Sequence, residues 1–182
     1  MPYEPPPELA TLSLAEIAQA VAARRLPPLA QWTPAETGES HMEIRGDGRW
    51  YHEGGEITRP AMVRAFSTLL MRDADGRHWL MTPHQRLAIA VEDAAFVATD
   101  VVRREHALAF RLNTDDIVVA GPDHPLRATG DADVPALYLA ARNGCEARLN
   151  RSTYAQLAEL ALAEGDDWTV TSQGERYSLV PA

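Results

Sequence analysis

The stretch Arg49 to Leu70, RWYHEGGEITRPAMVRAFSTLL, constrains the fold of this chain more than any other. Gly54-Gly55 separates a strand that begins at Trp50 from a second short strand, and Thr58, Arg59 and Pro60 then read as a capped helix start. Proline suits that first helical position because the N–H it lacks has no intrahelical partner there. Met62, Val63, Phe66, Leu69 and Leu70 recur at helical spacing as an apolar stripe. A weaker copy returns later: strand 137–141, the turn Asn143-Gly144, strand 146–149, and a helix capped by Asn150 and ended by Gly165. Matching Thr58-Arg59 to Asn150-Arg151, and Gly76 to Gly174, sets a register for the repeat, with the extra residues assigned to loop 165–168. The pattern predicts an α+β fold of two small domains with a duplicated hairpin–helix–strand core.

Three segments follow from the punctuation. Residues 1–12 read as a flexible proline-rich tail, 13–84 as an N-terminal α+β domain and 85–182 as a C-terminal strand-rich α+β domain. Ser13 with Glu16 three residues on is a capping box, and Leu12 is placed to pack on Ile17 as a hydrophobic staple. Leu14, Ile17 and Val21 recur on one face of that helix, which Arg24-Arg25 and Pro27-Pro28 end. Between 85 and 120 alternation dominates. Leu108, Phe110 and Leu112 point one way, and Ala107, Ala109, Arg111 and Asn113 point the other.

Charge and composition exclude more than they assign. The chain has 17 basic and 26 acidic residues, a formal charge of −9, which repels polyanions unless the basic groups cluster, and no basic run is present. All the basic residues are arginine. Without lysine there is no Walker A phosphate loop and no Schiff-base chemistry. The single cysteine, Cys145, excludes an intramolecular disulfide. The first residues lack a basic n-region with an apolar run, and no stretch is apolar enough to span a bilayer, so a cytoplasmic location is expected.

Motifs of known chemistry are missing. Gly46-Asp47-Gly48 opens no helix, so a dinucleotide-binding βαβ unit is rejected. The six histidines show no zinc spacing, and Asp115-Asp116 lacks the glycine and terminal glutamate of a calcium loop. No metal or cofactor is expected. Ser67 lies in a helix, and Cys145 has no evident base. Arg59 and Arg151, placed at the positive ends of two helices, each call for an anionic partner. That partner is either a protein carboxylate such as Glu92 or Asp93, or a bound phosphate or carboxylate.

PPLAQW (27–32), GRWYHEGGEITRPAMVRAFSTLL (48–70), VEDAAF (91–96), FRLNTDD (110–116) and GPDHPLR (121–127) together resemble a bacterial family known as domain of unknown function 1285. The resemblance implies an α+β duplication whose second half is loosely like a pleckstrin-homology module. It implies no established activity. It also implies a nucleotide-based ligand at the domain interface and a role in signalling. In family-like segments the polar residues are Arg59, Glu92, Asp93, Arg111, Asn113, Asp115 and Asp116. With Arg111 and Asn113 on one strand face, an arginine fork could clamp a phosphate while Trp50 or Tyr51 stacks on a base. The site expected is therefore Trp50, Tyr51, Arg59, Glu92, Asp93, Arg111, Asn113 and Asp116. The partner expected is a small anion, nucleotide-based in the sharpest form, bound at the inter-domain cleft between the two repeats of a non-enzymatic signalling protein. Nucleic acid polymers and membranes are not expected partners. Two other readings stay open: a small hydrolase using Glu92 or Asp93, and an adaptor that binds another protein.

Overall fold

The structure, a computed structural model, describes residues 7–165 and 168–182. A first sheet is built from β1 (Glu36–Ile44), β2 (Trp50–His52), β3 (Gly55–Glu56), β4 (Leu70–Arg72), β5 (His78–Met81) and β6 (Gln85–Val91). A second is built from β7 (Phe96–Arg104), β8 (Ala107–Leu112), β9 (Ile117–Val119), β10 (Leu126–Asp131), β11 (Val134–Ala140) and β12 (Glu146–Leu149). The hairpin β13 (Thr169–Ser172) and β14 (Glu175–Ser178) stands apart. Three α-helices occur among the described residues: α1 (Leu14–Ala23), α2 (Pro60–Ser67) and α3 (Arg151–Ala163). None of them is long and apolar enough to cross a membrane.

The fold is α+β, and its two sheets are alike in topology. Numbered within its own half, each sheet runs third, second, first, sixth, fifth, fourth. In each, the first and last strands lie parallel at the centre, β1 on β6 and β7 on β12, while the neighbouring pairs that flank them are antiparallel. This sets a different register for the repeat from the one read off the helix starts. The strand before α2 is the third of its half, whereas the strand before α3 is the sixth of its half. Caps and turn glycines recur wherever helices and hairpins begin, so they carry no register. Residues 166–167 of the loop credited with the insertion lie outside the described residues.

Local expectations fare unevenly. Ser13 Oγ accepts from Glu16 N at 3.2 Å and Glu16 Oε1 from Ser13 N at 3.1 Å, completing the capping box. Asn150 Oδ1 caps α3 by accepting from Thr153 N at 2.9 Å. In α2 the cap is Arg59 rather than Thr58, with Pro60 first in the helix. Leu70, expected on the helical stripe, instead opens β4, and the helix closes on Thr68 as its C-cap. Residues 9–12 are not free tail, because Leu9 and Leu12 are buried with Ile17 and Ala109. The expected boundary at 84/85 falls inside the first sheet, where β6 pairs with both β5 and β1.

One apolar core runs across both sheets. Met42, Ile44, Trp50, Leu70, Leu80 and Ile89 of the first half join Phe96, Leu108, Phe110, Leu112, Leu137, Leu139 and Leu157 of the second. Strand β8 is buried on both faces. Leu108, Phe110 and Leu112 meet this core, and Ala109 lies beneath the N-terminal cluster.

The halves are also stapled through backbone. Asn113 Oδ1 accepts from Val97 N at 3.0 Å while its Nδ2 donates to Gly48 O at 3.2 Å. Gly48 has φ +88°, and a Cβ there would sit 2.9 Å from Asn113 Nδ2 and from Val97 Cγ2. Arg72 N donates to Asn143 O at 2.9 Å. At neighbouring Gly144, φ +78°, a Cβ would come within 2.5 Å of Arg72 O. Both positions need glycine for conformation and for room.

Candidate functional site

A hollow of about 590 Å³ lies between α1, β9, the turn after β9 and the turn before β12. That volume falls within the range of about 300–1,000 Å³ typical of small-molecule sites. The capping box and the buried Ile17 hold α1 at its start, and Ala18, Val21 and Ala22 then face the hollow. Leu26, Ile117 and Val119 extend the aliphatic wall, and Asp123 and His124 stand at the turn.

Its floor is charged. Asp116 is buried, at 5% exposure, at the head of β9. Arg24 Nε donates to its Oδ1 at 2.6 Å, Arg142 Nη1 approaches its Oδ2 at 3.0 Å, and Thr114 Oγ1 donates to Oδ2 at 2.5 Å. Burial raises the Asp116 pKa, but Arg142, the Thr114 hydroxyl and Arg24 together outweigh that and hold it below the usual carboxylate value. Arg64, from α2, donates from Nη1 to Thr114 O at 2.5 Å. Burial and the Arg24 charge lower its pKa, with Asp116 opposing them. Neighbouring Asp115 is raised, first by burial and then by Asp116.

Asp116 thus pins two guanidinium groups, and neither is fully used. Arg24 Nη2 and Arg142 Nε are buried with no hydrogen-bond partner among the described residues. A buried donor without a partner costs about 1–3 kcal/mol. An anion entering the hollow could offset that cost for any of these donors it reached.

Of the eight residues expected to form the site, only Asp116 lines the hollow. Trp50 is 1% exposed and lies parallel to Phe66 at 6.4 Å, so it is a core residue rather than a platform for a base. Tyr51 sits under the Arg45 guanidinium at 3.8 Å. Arg59 is exposed at the head of α2. Glu92 Oε2 accepts from Gly46 N at 2.8 Å. Asp93 accepts from Tyr138 Oη at 2.5 Å and from Arg148 Nη1 at 2.8 Å. Arg111 donates to Pro7 O, and Asn113 is the staple between the halves. Glu92 and Asp93 therefore engage different protein partners.

Asp93 borders a smaller cleft of about 210 Å³ with His78, Tyr138, Arg72, Arg127 and Glu146. That cleft is a closed network of ion pairs, Arg127 to Glu146 at 3.0 Å and Arg72 to Glu146 at 3.5 Å among them. Sequence reasoning missed Arg24, Arg64 and Arg142. Arg24 reads as a helix stop, and 92 positions separate it from Asp116.

Fold and site together define an α+β protein of two topologically matched sheets with an arginine-floored cleft beside the second. Residues 27–94 match the N-terminal domain, and residues 95–179 the C-terminal domain, of the protein family of unknown function DUF1285. The chain belongs to that family. It is 35% identical to a DUF1285 family protein from Silicibacter pomeroyi DSS-3, with a TM-score of 0.77 over 93% of this chain and 96% of that one. A second crystal structure, a DUF1285 family protein from Shewanella baltica OS155, is 21% identical. It shares the fold at a TM-score of 0.54 over 65% of this chain and 90% of that one. No curated protein matches the chain.

Proposed function

We propose that the chain is a cytoplasmic, non-enzymatic binder of a small anion, held in the cleft over Asp116, and that occupancy of the cleft is a signal passed through the shared core. The observation that carries this reading is the pair of buried, unpartnered guanidinium nitrogens, Arg24 Nη2 and Arg142 Nε, on side chains that line a hollow of about 590 Å³. Arginine presents a planar fork suited to carboxylate and phosphate oxygens, and Asp116 holds two such forks in place. The second sheet, with α3 packed on β7 and β12, is the half in which a pleckstrin-homology likeness is to be sought.

Thermal melting against inorganic phosphate, nucleotides and simple carboxylates tests the reading. A ligand at a hundredfold excess over its Kd adds about 2.7 kcal/mol of stability. That shift should vanish in Arg142→Ala and shrink in Arg24→Gln. Silence across the panel, or a shift that both variants keep, refutes the proposal.

A further inference from the structure

We infer that the anion is amphiphilic, a medium-chain aliphatic carboxylate and not a nucleotide. This rests on the cleft reading above and narrows its ligand. Two features of the hollow point the same way.

The first is the wall. Ala18, Val21, Ala22, Leu26, Ile117 and Val119 are all aliphatic, and among the described residues no Trp, Tyr or Phe lines the cleft. Proteins that hold bases commonly stack them on aromatic faces, at about 1–3 kcal/mol per base. Trp50 is locked in the core, and Trp32 and Trp79 belong to a separate cluster with Leu29 and Met81. Meanwhile Val21 and Leu26 are 42% and 41% exposed along the cleft wall, which suits a hydrocarbon tail better than water.

The second is the charge. The floor sets three guanidinium groups, Arg24, Arg64 and Arg142, against the carboxyls of Asp115 and Asp116. The floor alone carries a balance of one positive charge, and Asp123 at the turn brings the whole lining to neutral. A carboxylate adds a single negative charge, matched by the floor's own balance. A nucleoside triphosphate would bring several negative charges into a poorly screened site beside two carboxylates. The hollow therefore matches one carboxylate on the floor with an alkyl chain along α1 and β9.

The test is a homologous series of straight-chain carboxylates, acetate to dodecanoate below their micelle concentrations, titrated calorimetrically into the intact protein. Decanol, decylamine, inorganic phosphate, AMP and ATP complete the panel. Affinity should rise about fourfold per added methylene, the equivalent of ~0.8 kcal/mol each, until the chain outgrows the cleft. Decanol and decylamine should bind at least tenfold more weakly than decanoate. Val21→Glu, at an exposed position, should abolish the chain-length dependence without changing the melting temperature of the free protein.

AMP or ATP binding that Arg142→Ala removes, with no response to carboxylates, overturns this inference and leaves the anion reading standing. No binding by any anion sinks both. Decanol binding as tightly as decanoate, or a chain-length dependence that survives Val21→Glu, also overturns it.

Discussion

The two halves share a strand order but treat the connection between their third and fourth strands differently. In the first half that connection carries α2, whose Val63 and Phe66 pack on the core, with Phe66 lying parallel to Trp50. In the second half it is a tight turn, where Gly121 and His124 exchange backbone hydrogen bonds of 3.1 and 3.0 Å. No helix of its own roofs the turn there; α1 reaches across from the N-terminus. Helix α1 is held at its start by Ile17 and near its end by Arg24 on Asp116. Its Ala18, Val21 and Ala22 are left facing a gap. A duplicated scaffold has thus kept one half filled and the other concave. A helix inserted within the repeat closes the core, whereas one borrowed from outside it leaves room for a ligand.

The strongest way to break that comparison is to hollow the filled half. Trp50→Ala removes a fully buried indole from between β2 and α2 and should cost about 3–5 kcal/mol in urea unfolding. Where the variant is still folded, affinity at the cleft should stay within about twofold of the parent. A large loss of binding with Trp50 truncated would show that the filled half also shapes the cleft. Next in size is Gly144→Ala, at the junction of the halves. A side chain there must adopt φ +78° and meet Arg72 O at 2.5 Å. The expected loss is about 1–3 kcal/mol, with cleft affinity reduced as well because Arg142 lies in the same turn. Unchanged stability would mean that the two backbones can part without cost. A smaller effect concerns Cys145, whose thiol burial pushes up to about 12, so it should resist alkylation near pH ~8 in the native protein and react only on unfolding.

How far the sequence carried depends on the kind of signal. The capping box at Ser13 and the Asn150 cap are local chemistry and appear in the structure as read. The end of α2 was misplaced because Leu69 and Leu70 continue a helical spacing while the backbone has already turned into β4. Apolar period alone does not separate a last helical turn from a first strand residue. The duplicated strand order stayed hidden because matched strands differ in length. Strand β2 has three residues where β8 has six. Asp116 is legible as a polar residue of the family-like segment FRLNTDD. Its arginines are not, since Arg24 and Arg142 come from a helix end and a hairpin turn far away in the chain. Trp50 was misassigned because an aromatic beside turn glycines looks the same whether it packs or stacks.

Asp116→Asn gives the smallest effect and the sharpest view of the concave half. The folded pKa of Asp116 lies below the ordinary value of about 3.9, because Arg142, Thr114 and Arg24 outweigh burial. A depressed carboxylate contributes stability that is fully present above the unfolded pKa and is lost as pH falls through the folded one. The parent should therefore lose this contribution below about pH 3.9, whereas the amide variant has none to lose, so the stability gap between the two proteins should narrow steadily as acid is added. At neutral pH the gap should be only ~1 kcal/mol, well under the ~3–5 kcal/mol of a broken, fully buried pair. Two things keep it small. Arg24 and Arg142 retain 21% and 13% exposure of their side chains and can be partly rehydrated. The substitution also relieves Asp115, whose carboxyl burial and the Asp116 charge hold above its usual value. Carboxylate affinity should fall nonetheless, because the two guanidinium forks lose the anchor that orients them. A gap independent of pH between about 2 and about 6 would show that Asp116 shapes the cleft by volume alone and that its charge holds neither arginine.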